Sequence, residues 1–187
     1  MKEIPSDTSV RDLLLKVSPE IAREAILSSG ADRELDGTEF SLVVEVSGDK
    51  YSYQVKNGTE FDIREADIDA PMVRVKIDWE SIEKMIKTNS LDMFLGIQSD
   101  LNRNKYNVLR SIKGSFVAEL TNDDGSVLSI ETIFNNTLEP KAVFRMRTAD
   151  SIALTRKETN PVNLFMSGAM RIDGDMAFAM STQPLFT

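Results

Sequence analysis

The 187-residue chain contains no cysteine and no histidine. Without cysteine there is no disulfide, no thiolate nucleophile and no cysteine-ligated zinc or iron–sulfur cluster. Without histidine there is no Ser-His-Asp relay, no HExxH zinc site and no facial-triad iron site. Any catalysis would rest on carboxylate, lysine, serine or tyrosine. Basic residues are also in the minority, 22 against 30 acidic, for a net charge of −8. With no basic run in the chain, a duplex phosphate surface would repel such a protein, so no nucleic-acid partner is expected. No apolar run reaches signal-peptide or membrane-span length, so neither stable membrane insertion nor a secretory route is expected, and a cytoplasmic location is the default.

Hydrophobic residues make up 41% and charged residues 28% of the chain. That composition is globular, and the length suits one domain with a sizeable core or a core holding a cavity. Val10, Leu13, Leu14 and Val17 recur at helical spacing behind a Ser9/Asp12 capping box. Ser18-Pro19-Glu20 can restart a helical turn, and Ile21, Ala22, Ala25 and Ile26 continue its apolar face to Gly30. From Phe40 the period becomes two. Phe40, Leu42, Val44 and Val46 form a strand, Ser47-Gly48-Asp49 a turn, and Tyr51, Tyr53 and Val55 a second strand ending at Asn57-Gly58. The acidic stretch from Asp62 to Asp69 reads as a loop. A third strand alternates Val73, Val75 and Ile77 with Arg74 and Lys76, and Asp78 is a good N-cap for a helix carrying Trp79, Ile82, Met85 and Ile86.

The second half has the same order. A short helix (Tyr106, Leu109, Ile112) leads to a strand with Phe116, Ala118 and Leu120, a turn at Asn122-Asp123-Asp124-Gly125, and a strand with Leu128, Ile130, Thr132 and Phe134. A third strand turns Phe144 and Met146 inward and Arg145 and Arg147 outward, and a helix begins near Thr148. A shift of about 71 positions pairs Val73 with Phe144, Val75 with Met146 and Phe94 with Phe165, with one residue of drift along the chain. The pattern fits either an internal duplication, with half-repeats at about 8–97 and 101–187 in a single domain over 1–187, or one mixed sheet built in two passes.

The segment from Asn160 to Met180 holds four of the nine methionines. Met170 and Ile172 alternate with Ala169, Arg171 and Asp173 as a short edge strand, Gly174 permits a sharp turn, and Asp175 caps a final helix, Met176 to Met180. Methionines between small alanines make a deformable apolar surface. On the apolar pair Phe165-Met166, Gly168, the strand Met170 to Ile172, Gly174-Asp175 and the methionine- and alanine-rich helix, this segment resembles the end of the sterol carrier protein type 2 domain. The resemblance implies an α/β fold in which a mixed sheet covered by helices encloses a hydrophobic tunnel. It also implies non-catalytic binding of a fatty acyl chain, a sterol-like or isoprenoid molecule or another long apolar ligand, with no cofactor, no metal and no catalytic residue.

The candidate ligand-lining residues are Phe165, Met166, Met170, Ile172, Met176, Phe178 and Met180, with Met85, Ile86 and Phe94 as their counterparts in the first half. The chain departs from the family pattern in two ways. Positions where that strand often carries lysine read Ala169 and Asp173, leaving only Arg171, which argues against a phosphate-rich coenzyme A head group. The chain is also nearly twice the length of a minimal family domain. The alternative is an accessory or interaction module whose tunnel is filled by its own side chains, with Leu164-Phe165 and Pro184-Leu185-Phe186 exposed for a homodimer. A carboxylate pair at Asp173 and Asp175 is the one arrangement on which acid–base chemistry could rest.

Overall fold

The computed structural model describes residues 4–88, 90–91 and 100–187. Helix α1 (Val10–Asp12) starts at Ser9, whose side chain accepts from the Asp12 N–H, and widens into a π-helical stretch, Leu13–Val17, that runs directly into α2 (Ser18–Ser29). The chain therefore does not break and restart at Ser18. Pro19 lacks an N–H and its ring would meet the preceding turn of a regular helix, and the widened turn accommodates both. Gly30 ends α2 at a φ of 74°, donating to Ile26.

Eight strands follow: β1 (Glu39–Val46), β2 (Asp49–Lys56), β3 (Glu60–Arg64), β4 (Val73–Ile77), β5 (Gly114–Thr121), β6 (Val127–Phe134), β7 (Lys141–Arg147) and β8 (Arg171–Gly174). They form one sheet in the order β3-β2-β1-β4-β6-β5-β7-β8. In each half a hairpin is followed by a strand parallel to the hairpin's first strand, β4 beside β1 and β7 beside β5. The halves meet where β4 and β6 pair antiparallel. The fold is thus the mixed α/β sheet with helices that the sequence pattern implies.

One segment differs from expectation. Of the stretch from Asp62 to Asp69 read as a loop, Asp62 to Arg64 belongs to an edge strand, Glu60–Arg64, on β2. Phe61 and Ile63 alternate there with Glu60, Asp62 and Arg64, and such outward charges are a common protection for an exposed sheet edge. The remaining acidic residues lie in the connection to β4, where Glu65 meets Arg11 at 2.7 Å and Asp67 meets Lys50 at 2.9 Å and Arg74 at 2.8 Å.

The other helices are α3 (Trp79–Lys87), capped by Asp78, α4 (Arg103–Ser111), capped by Asn102, α5 (Thr148–Thr155), α6 (Pro161–Met166) and α7 (Met176–Ser181). They share one face of the sheet with α1 and α2. The Tyr53 hydroxyl, on that face, donates to the Leu14 carbonyl at 2.7 Å, and its burial raises its pKa. The opposite face carries rows of ion pairs. Arg74 sits between Asp67 and Glu45, Glu131 between Lys76 and Lys141, and Arg145 between Glu119 and Asp173. Arg74 is 14% exposed and Glu45 23%, whereas the pairs of Arg145 are more open and contribute about 0–1 kcal/mol each. They solvate the open face, and burial of the apolar face drives folding.

Candidate functional site

Local rules of chain geometry set the C-terminal roof of the sheet in place. Asn160 caps α6 by accepting the Asn163 N–H at 2.9 Å, and Pro161 begins the helix where its missing N–H costs nothing. After Gly168 the chain folds back, and the Met170 N–H donates to the Leu164 carbonyl at 2.9 Å. Gly174 then pairs with Ala142 at a φ of +89°, so close that a Cβ there would stand 2.4 Å from the Lys141 carbonyl oxygen. Only glycine fits this turn. Asp175 follows, accepting the Phe178 N–H at 2.8 Å and launching α7 back over the sheet.

Between this roof and the sheet lies a cavity of about 320 Å³. Its floor is laid by both halves: Phe40 and Leu42 of β1, Val73 and Val75 of β4, Ile130 and Thr132 of β6, Phe116 and Ala118 of β5, Phe144 and Met146 of β7, and Ile172 of β8. The roof comes from Ser151 and Thr155 of α5, Pro161, Val162, Phe165 and Met166 of α6, Met170 just before β8, Ala179 and Met180 of α7, and then Thr182, Gln183 and Phe186. Among these described residues none is ionisable. Thr132 is the one polar side chain on the floor. On the roof the Thr155 hydroxyl donates to the Ser151 carbonyl and the Thr182 hydroxyl to the Ala179 carbonyl, so both are engaged by helix backbone.

Such a space binds by apolar burial and shape. It has no charge with which to hold an anionic group. The opening is marked by Val162, Phe165, Met166 and Met180, whose side chains are between 42% and 78% exposed.

Of the residues singled out from the sequence, Phe165, Met166, Met170, Ile172 and Met180 come together around this cavity. The others do not. Phe178 is buried below α7 with its ring 6.5 Å from that of Phe134, and Met176 is half-exposed outside the lining. Met85 and Ile86 are buried in the core beneath α3. Phe94 lies outside the described residues. The C-terminal tail is not free either: Leu185 is buried and Phe186 packs edge-on against Phe116 at 6.2 Å. Asp173 and Asp175 form no pair, since Arg145 holds the first and the cap of α7 occupies the second.

The floor residues of the first half were not singled out as site residues. Their period-two alternation shows which face is inward, but an inward face reads alike whether it meets a helix or a void.

Residues 98–187 match the family model of the SCP-2 sterol transfer family. Solved structures similar to the chain include sterol carrier protein 2 from Yarrowia lipolytica in its apo form, at 17% identity over 42% of this chain and 76% of that one, with a TM-score of 0.34. The solution structure of sterol carrier protein domain 2 of Helicoverpa armigera is 18% identical over 54% of this chain and 84% of that one, with a TM-score of 0.39. Sterol carrier protein 2 like 2 from Aedes aegypti is 16% identical over 56% and 95%, with a TM-score of 0.36. No curated protein matches the chain. No helix of the described residues is long and apolar enough to cross a membrane.

Proposed function

From the match of residues 98–187 to the SCP-2 sterol transfer family, we propose that this protein binds a lipid, an acyl chain or a sterol-like or isoprenoid body, in the cavity between the sheet and α5 to α7. The observation that carries the reading is the apolar, uncharged lining of a space of about 320 Å³, roofed by the matched segment and floored by both halves of the chain. Pockets for small organic ligands run from roughly 300 to 1,000 Å³, so this one suits a slender ligand. Each methylene moved out of water contributes about 0.8 kcal/mol. A dozen contribute about 10 kcal/mol, and association costs of about 4 kcal/mol, the low end of their range, leave about 6 kcal/mol, an affinity of about 40 µM at most.

No catalytic group takes part in this reading. The first half is a working part of the site, since β1 and β4 complete the floor, and the whole chain acts as one extended domain.

The test is native mass spectrometry of the purified protein, with organic extraction of the same sample. A stoichiometric adduct of a few hundred daltons that extracts as a lipid is the expected result. A bare polypeptide mass, together with no thermal shift across a panel of fatty acids, sterols and isoprenoid alcohols, would overturn the proposal.

A further inference from the structure

The cavity has an open end and a closed end, and they lie in different halves of the chain. Of the exposed lining residues, Met180 lies on α7, which packs on β7 and β8, and Phe165 and Met166 lie on α6, whereas the floor ends at Phe40 and Leu42 on β1. Five strand spacings separate β8 from β1 in the sheet, about 24 Å at 4.8 Å each. A ligand entering at the rim therefore advances across the strands, toward β1.

What it meets there is specific. Phe40 and Leu42 also line a second, smaller void of about 20 Å³ on their far side, walled by Ile26 of α2, Tyr53 and Val55 of β2, Phe61 of β3 and Leu101. The two voids thus share a wall of two side chains. Phe40 is 6% exposed and Leu42 3%, so the wall lies within the core. Beyond it the lining residues are all apolar or aromatic, and space of that kind stays dry.

We infer that Phe40, backed by Leu42, is the end stop that sets how long a ligand the cavity accepts, and that the N-terminal half thereby selects ligand length. This inference rests on the lipid-binding reading above. Its physical content is that a chain shorter than the stop leaves floor unfilled, while a longer one must displace a buried aromatic ring or leave its end in water. Removing the ring joins the two voids and lets more methylenes be buried, each worth about fourfold in affinity.

The experiment is a binding profile for a homologous series of n-alkan-1-ols, measured on the whole chain for wild type, Phe40→Ala, Phe40→Trp and Leu42→Ala. The expected result is a wild-type optimum at one length, a shift to longer alcohols in Phe40→Ala and Leu42→Ala, with about fourfold tighter binding per added methylene, and a shift to shorter ones in Phe40→Trp. Leu42→Ala reads the same wall if Phe40→Ala fails to fold. An unmoved optimum in folded variants overturns the end stop and leaves lipid binding standing. No binding of any alcohol, fatty acid or sterol by wild type overturns both.

Discussion

Ala118 stands in the middle of the cavity floor, paired with Ile130 on one side and Phe144 on the other. It is the smallest side chain among bulky neighbours, and replacing it with phenylalanine fills space that a ligand would occupy. The added ring displaces about four or five ligand methylenes, a loss of about 3–4 kcal/mol or several-hundredfold in affinity. The same ring is buried against Ile130, Phe144 and the roof. Burial contributes about 1.5–3 kcal/mol, less the cost of ordering the side chain, so the ligand-free variant gains about 1–2 kcal/mol and melts about 2–8 °C higher. Titration with a fluorescent fatty acid, alongside a thermal melt of delipidated protein, reads both effects. Undiminished binding by a well-folded Ala118→Phe protein would place the ligand elsewhere. A lower melting temperature would show the floor to be overpacked, with no space there to fill.

Two further outcomes test the frame around the site. At Gly114, where φ is +128°, a Cβ would stand 2.4 Å from the Pro140 carbonyl oxygen and 2.6 Å from the Phe178 ring. Gly114→Ala should therefore cost about 2–4 kcal/mol and lower the melting temperature by about 4–16 °C, measured by circular dichroism. The Arg74 guanidinium, followed by Lys50, holds the Asp67 carboxyl at about 2, below its ordinary 3.8. A depressed carboxyl stabilises the fold above pH 4 and loses that contribution as pH falls from about 4 toward 2. Solvent screening at this partly exposed pair leaves about 1 kcal/mol of it. Urea denaturation of Asp67→Asn against wild type should show that difference at pH 6 and its disappearance near pH 2.

Much of the architecture was legible because it rests on local rules. The Ser9, Asp78 and Asp175 caps, the Ser47-Gly48 and Asn122 to Gly125 turns, and the inward alternation of Phe116, Ala118 and Leu120 are each written within a few residues. Strand β3 was missed because three charges in five positions hide the period of Phe61 and Ile63. The site was legible on its roof, where Phe165, Met166, Met170 and Met180 carry the family resemblance, and on the floor at Ile172 alone. Phe178 sits in the same short helix as Met180 but two positions round, and a helix turns about 200° over that interval, which separates core from lining. Which β1 side chains reach the cavity depends on β4 pairing with β6, a contact across some sixty residues that no local pattern announces.

That β4–β6 seam has a mechanical consequence. The two halves of the sheet are joined along it by only four register pairs, from Val73 opposite Phe134 to Lys76 opposite Glu131. The cavity floor runs straight across it, from Val75 to Thr132 and onward in both directions. A rigid occupant lying on that floor acts as a splint: it touches both sides of the joint and resists any hinge between them. Under the proposed lipid binding, loading would stiffen the sheet as well as the roof, and release would free the seam to flex, so the halves would feel the presence of cargo through the joint that holds them together.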